Sequence, residues 1–184
     1  MRDTPDRRSD GQLVHAAKDG DFGAFGELVR RHQRDAIRIA AIALGSSTGA
    51  DDTAQEAFIK AHRSLHRFRE DAPFRPWLFR IVTNTARNRL RHEGRQSNLR
   101  TRVAVLATSD PASPEEIAGH LADRDELVAA INRLAVADRL ILAYRWYHQM
   151  TEAEIAEAMG CRRGTAKSRL SRAMNRLRLE LEES

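Results

Sequence analysis

The side chains best able to do chemistry in this 184-residue chain are arginines set among small polar residues. Arg80, Asn84, Arg87, Asn88 and Arg91 recur at spacings of 4, 3, 1 and 3, which on a helix puts them on one face. Guanidinium groups there neutralise phosphates, and asparagine amides hydrogen-bond base edges. Just before them, Phe68, Phe74 and Trp77 alternate with Arg67, Arg69 and Arg75. Rings among arginines suit single-stranded nucleic acid, whose bases stack for about 1–3 kcal/mol each. The same rings could instead close a small core under a polar loop, the better reading for Trp77. Further on, Lys167, Ser168, Ser171 and Arg172 share a helix face flanked by Arg162, Arg163 and Arg169. Short polar and long basic side chains near a helix start suit the DNA major groove. The competing reading is a helical hairpin with a basic, solvated outside.

Other constellations are weaker. Asp52 and Glu56 are four apart and share a face, but no third ligand sits at metal spacing. His62 and His66 have the same spacing without a metalloprotease context. Cys161, the lone cysteine, excludes a disulfide framework and reads as a small packed residue in a turn. There is no P-loop, dinucleotide fingerprint or nucleophile elbow, so no catalytic residue, metal or cofactor is expected.

Charge follows the same division. The chain carries +5 overall, yet residues 60–102 hold a net +9 and residues 139–179 a net +6. Residues 1–59, 103–138 and 180–184 hold −2, −5 and −3. Two basic blocks separated by an acidic stretch fit two contacts with a polyanion. A mean hydropathy of −0.57 and no long apolar run argue against a membrane span. The charged start MRDTPDRRSDGQ lacks the apolar core of a secretory signal, so a cytoplasmic location is expected.

The elements that must position these groups read as helices throughout. Ser9 to Gln12 forms a capping box, and Asp21 caps a helix over 22–44 with Phe25, Leu28, Val29, His32, Ala36, Ile39 and Ala43 on one face. A third helix spans about 51–65, and a fourth, with Pro76 in its first turn, runs to about 92. Residues 93–123 read as a linker. Helices follow near 126–134, 136–148, 151–159 and 163–181, the last two joined at Gly160 as a helix-turn-helix. The expected fold is all-α: two small helical domains, 1–92 and 124–184, joined by a flexible linker, with 1–9 disordered.

The stretch DDTAQEAFIKAHRSLHRFREDAPFRPWLFRIVTNTARNRLRH resembles region two of bacterial extracytoplasmic-function (ECF) sigma factors of the sigma-70 family. MTEAEIAEAMGCRRGTAKSRLSRAMNRLR resembles their region four, in the usual order. The resemblance implies core RNA polymerase, through its β′ and β subunits, as a partner, with Asp52, Gln55 and Glu56, joined by Lys60 and His62, binding β′. It implies that Arg69, Phe74, Arg80, Asn84, Arg87, Asn88 and Arg91 recognise and open the minus-ten promoter element. Lys167, Ser168, Ser171 and Arg172 would read the minus-thirty-five element, with Arg163, Thr165 and Arg169 on phosphates. It further implies a linker threading toward the polymerase active centre, and control by an anti-sigma factor. Thr53, Pro76 and Ala166 depart from the family pattern; the first and last would soften apolar packing. An autonomous helix-turn-helix regulator, or a decoy that binds a regulator only, are the rival classes.

Overall fold

The computed structural model describes residues 8–69, 71–94 and 126–182, and among these every regular element is helical. Helix α1 (Asp10–Lys18) starts at the expected capping box, with Ser9 Oγ accepting from the Gln12 amide and Gln12 Oε1 from the Ser9 amide. Arg8 reaches Asp21 and its carbonyl accepts from Arg31, so Arg8 and Ser9 belong to the fold rather than to a disordered start. Residues 1–7 and nearly all of the expected linker lie outside the described residues.

Helix α2 (Phe22–Leu44) is capped by Asp21, whose carboxylate accepts from the Ala24 amide. Its stripe Leu28, His32, Ala36, Ile39 and Ala43 is buried, while Phe25 and Val29 are half-buried against the same core. Helix α3 (Ala50–Ser64) buries Ala54, Ala57, Phe58 and Ala61, with Leu65 following in a short 3₁₀ turn. It begins at Gly49, whose φ of +76° suits glycine, and where a Cβ would lie 2.7 Å from the Arg89 guanidinium. Thr53 does not soften this packing: it is fully buried, and its hydroxyl donates to the Gly49 carbonyl at 2.7 Å. Helix α4 (Phe74–Gly94) packs against α2 and α3 through Leu78, Val82 and Ala86.

The second half of the chain comprises α5 (residues 126–133), α6 (Val136–Leu142), α7 (Glu152–Met159) and α8 (Arg163–Glu182). The expected continuous helix over 136–148 is broken. After Leu142 the chain widens into one π-helical turn, Ala143–Tyr147, closed by the His148 amide donating five residues back to Ala143. Gln149 then takes a φ of +51°. The reason lies outside the helix itself, because this turn inserts into the first half of the molecule. Tyr144 is fully buried, its hydroxyl shares a 2.9 Å hydrogen bond with Thr83, and its ring stacks on Phe79 at 5.9 Å. His148 meets Phe79 edge-on at 4.8 Å and places Nδ1 3.6 Å from Asp35. The two halves are therefore joined by a shared core, through α4 against α7 and α2 against α6.

Two half-buried acid–histidine contacts make this packing pH-dependent. The hydrogen bond from His32, helped by Arg31, holds the Asp10 carboxyl below its ordinary 3.8. The close approach of His148, 3.6 Å away, does the same for Asp35. A carboxyl lowered on folding stabilises the fold above its ordinary range and loses that contribution as pH falls through the folded value. Denaturation midpoints should therefore fall as pH drops below about 4. Asp10→Asn should flatten that acid limb. At the other extreme, burial pushes the Tyr144 phenol up to about 12. Tyr144 should therefore ionise only near the alkaline unfolding transition, as read by tyrosinate absorbance.

Candidate nucleic-acid interface

The helix-turn-helix is built by local chemistry before any packing. Thr151 Oγ1 accepts from the Glu154 amide and Glu154 accepts from the Thr151 amide, which starts α7. Gly160 ends it at φ +62°, with its amide bonded back to the helix. Ile155, Ala156 and Met159 are buried inward, and α8 answers with Ala166 and Ala173. Two small residues at that seam bring the helix axes close. Ala166 at 1% exposure is thus a close-contact residue rather than a softened one.

Turned away from that seam, Arg163, Lys167, Ser168, Arg169, Ser171 and Arg172 are exposed, and Thr165 is half-buried. Ser168 donates to the Thr165 carbonyl, and Arg172 to the Ser168 carbonyl, which holds Arg172 along the helix. Arg163 lies 3.4 Å from Glu152, tying the start of α8 to the start of α7. Arg176, behind this face, pairs with the buried Asp138 of α6. A helix carrying lysine, serine and arginine side chains at one exposed end is suited to a major groove.

On α4, Arg80, Asn84, Asn88 and Arg91 are exposed and Arg87 is half-buried, so the structure brings the expected polar face together. Arg91 donates to Asn88, and Arg80 to Glu157 of α7 at 3.0 Å. Arg69 is bound bidentately by Asp71 on the preceding loop. Phe74 is a correction. It is 3% exposed, packed on Phe68, Trp77 and His32, and so supports the loop from below instead of presenting its ring to a base. Aromatic–arginine alternation could not distinguish the two, since a helix start buries every third or fourth residue.

Asp52, Gln55, Glu56 and His62 lie exposed along α3, with Lys60 half-buried. Glu56 pairs with Lys60 at 2.6 Å, and Lys60 donates on to Thr85 of α4. Asp52 lies 3.9 Å from Arg89. Two apolar residues beside this strip were not picked out from sequence. Ile59 is 47% exposed between Glu56 and His62, and Phe22 is 79% exposed, stacked 6.2 Å from the His62 ring. Phe22 is the first residue of α2, and only the packing of α2 on α3 carries it there. Also unforeseen were Phe79, Thr83, Tyr144 and His148. Their only sequence signal was Thr83 and Thr85, polar residues at the border of the apolar side of α4. Among the described residues no cluster of histidine, cysteine and carboxylate side chains could hold a metal ion, and no helix is long and apolar enough to cross a membrane.

The fold and these faces define an all-α protein with a helix-turn-helix behind a second, arginine-faced bundle. Residues 28–96 match the family model for sigma-70 region 2, and residues 124–177 that for sigma-70 region 4. The chain is 36% identical over 177 residues to the ECF RNA polymerase sigma factor SigM of Mycobacterium tuberculosis, spanning 92% of this chain and 83% of that one. It is 35% identical over 175 residues to the RNA polymerase sigma-H factor of Pseudomonas aeruginosa, spanning 91% of each. Among solved structures, that of CnrH in complex with the cytosolic domain of CnrY superposes with a TM-score of 0.66 at 28% identity, covering 95% of this chain and 98% of that one. The chain belongs to the ECF sigma factors of the sigma-70 family, which are transcription initiation factors.

The turn is the point where this site is easiest to break. At Gly160 a Cβ would meet nothing closer than 3.9 Å, so the left-handed φ alone sets the penalty. Gly160→Ala should lower unfolding free energy by about 1–2 kcal/mol in urea denaturation. Gly160→Asn should lose less.

Proposed function

We propose that this protein is the promoter-specificity subunit of a bacterial RNA polymerase: it binds core enzyme, recognises minus-thirty-five and minus-ten elements and promotes melting. The observation that carries the reading is the pairing of two family-matched segments, in order, each bearing an exposed arginine-rich helix face. In this reading residues 1–92 and 124–184 are its two domains and 93–123 the connection between them. The protein works in the cytoplasm and catalyses no reaction of its own; the polymerase does the chemistry.

Asp52, Gln55 and Glu56, with Lys60, Ile59, Phe22 and His62 alongside, form the surface for core polymerase. Its acidic end suits a basic helix and its apolar end gives buried area, the combination found at protein interfaces. Arg80, Asn84, Arg87, Asn88 and Arg91, with Arg69 on the loop, contact the melted minus-ten region. Extruding a base costs a few kcal/mol, offset by pocket contacts and by phosphate neutralisation. Lys167, Ser168, Ser171 and Arg172 read the minus-thirty-five duplex, and Arg163, Thr165 and Arg169 hold its backbone. The CnrH relative, solved with a cytosolic partner domain bound, supports control by a protein inhibitor of the anti-sigma kind.

Run-off transcription with purified core enzyme on genomic DNA tests this directly. The expected outcome is promoter-specific transcripts that core enzyme alone does not make. Asp52→Arg with Gln55→Ala should abolish association with core in a pull-down while leaving the helical circular dichroism intact. Arg172→Ala should cost about 1–3 kcal/mol of holoenzyme affinity for its promoter and relax specificity at one minus-thirty-five position. Tight specific binding of duplex operator by the free protein, with no transcription from added core, would instead identify an autonomous regulator.

A further inference from the structure

Two adjoining crevices lie between α4 and the helix-turn-helix, and arginine walls both. The first, of about 530 Å³, has Arg87 of α4 on one side and Arg169, Arg172 and Arg176 of α8 on the other. The second, of about 630 Å³, is lined by Arg80 and Asn84 of α4 and by Arg162 beyond the Gly160 turn. Arg87, Met159, Gly160 and Cys161 line both, so the two make one groove. Each volume lies within the roughly 300–1,000 Å³ of small-molecule sites.

Charge in the first crevice is out of balance. Among the described residues its one carboxylate is Asp138, which is buried and already bonded to Arg176. Arg87 and Arg169 form no hydrogen bond or ion pair among the described residues, and Arg172 bonds there only through Nε, to the Ser168 carbonyl. Three guanidinium groups therefore keep their terminal N–H donors for a ligand. A guanidinium grips a phosphate with two parallel N–H donors, so several around one small space match a chain of linked phosphates. The rest of the groove suits a ring attached to that chain. Met159 and Cys161 give it an apolar floor, and Asn84 carries an amide of the kind that hydrogen-bonds base edges.

We propose that this groove is a binding site for a nucleoside polyphosphate, with the phosphate chain on Arg87, Arg169 and Arg172 and the base toward Asn84. Arg176 stays on Asp138 and frames the site. The inference is independent of the sigma-factor reading, because it concerns the free chain and a small ligand, and its test needs neither core enzyme nor promoter.

The test uses the full-length chain in magnesium-free buffer at about 0.15 M salt. Isothermal titration with GTP, ATP and inorganic tripolyphosphate should show one nucleotide per chain, bound more tightly than tripolyphosphate. Arg87→Ala and Arg169→Ala should each weaken nucleotide binding about tenfold or more. Asn84→Ala should weaken nucleotide binding more than tripolyphosphate binding. Arg178→Ala removes the same charge from an exposed position of α8 that does not line the groove, and should change affinity less than about twofold. Cys161, the single cysteine, marks the place. Saturating GTP should slow its alkylation by N-ethylmaleimide, with half-protection at the dissociation constant found by titration. Equal losses in Arg178→Ala and Arg87→Ala, or several ligands per chain, reduce the effect to general basicity and overturn the proposal. Saturable binding that leaves Cys161 alkylation unchanged overturns it too, as does the absence of binding. Tripolyphosphate bound as tightly as nucleotide overturns the assignment of a nucleoside.

Discussion

Helix α4 is buried on two sides while a third stays polar and open, and the rest of the molecule follows from that demand. Leu78, Val82 and Ala86 bind it to α2 and α3. Phe79 and Thr83, a step around the helix, bind it to Tyr144 of the second half. The remaining arc, Arg80, Asn84, Arg87, Asn88 and Arg91, is polar and mostly exposed. A helix offers about 100° to each neighbour, so three partners exhaust its circumference. That is why Thr83 and Thr85 are threonines: they sit at the border where a side chain must be buried and still reach a hydrogen-bond partner. Tyr144 and Lys60 supply those partners from opposite sides.

The same economy of surface explains the irregular passage between α6 and α7. An unbroken helix would continue its stripe along the second half's own core. One extra residue per turn at Ala143–Tyr147 rotates the stripe, so that Tyr144 and His148 point at α4 and α2 while Trp146 and Tyr147 stay outside. The left-handed Gln149 then redirects the chain into the Thr151 cap. Both features are ways of joining a helix-turn-helix to a neighbour without altering the turn itself. Its cap, alanine seam and glycine stop remain wholly local.

Much of this architecture was legible from residue patterns. The capping boxes at Ser9 and Thr151, the Asp21 cap and the Gly160 stop all act within four residues, and each stands as read. The apolar stripes of α2 and α3 were legible for the same reason, since periodicity records which side of a helix meets a core. The polar faces of α4 and α8 were legible as faces. Phe74 was not, because an aromatic beside arginines has the same composition whether it closes a core or presents a ring. Phe79, Tyr144 and His148 were missed because their partners lie about 60–110 residues away in sequence, and no local pattern encodes a distant contact.

By itself, then, the amino-acid order determined a helical chain, two basic blocks, a helix-turn-helix and the arginine positions that suit phosphate and base contacts. These are short-range outcomes of capping, helix periodicity and charge count. Tertiary structure alone decided that the two blocks meet across a crevice, that Arg80 answers Glu157, and that the acidic strip on α3 ends in exposed Phe22 and Ile59. The physical reason is that burial and ion pairing depend on which surfaces are brought within a few ångströms, and that is set by how helices pack rather than by what each one is made of.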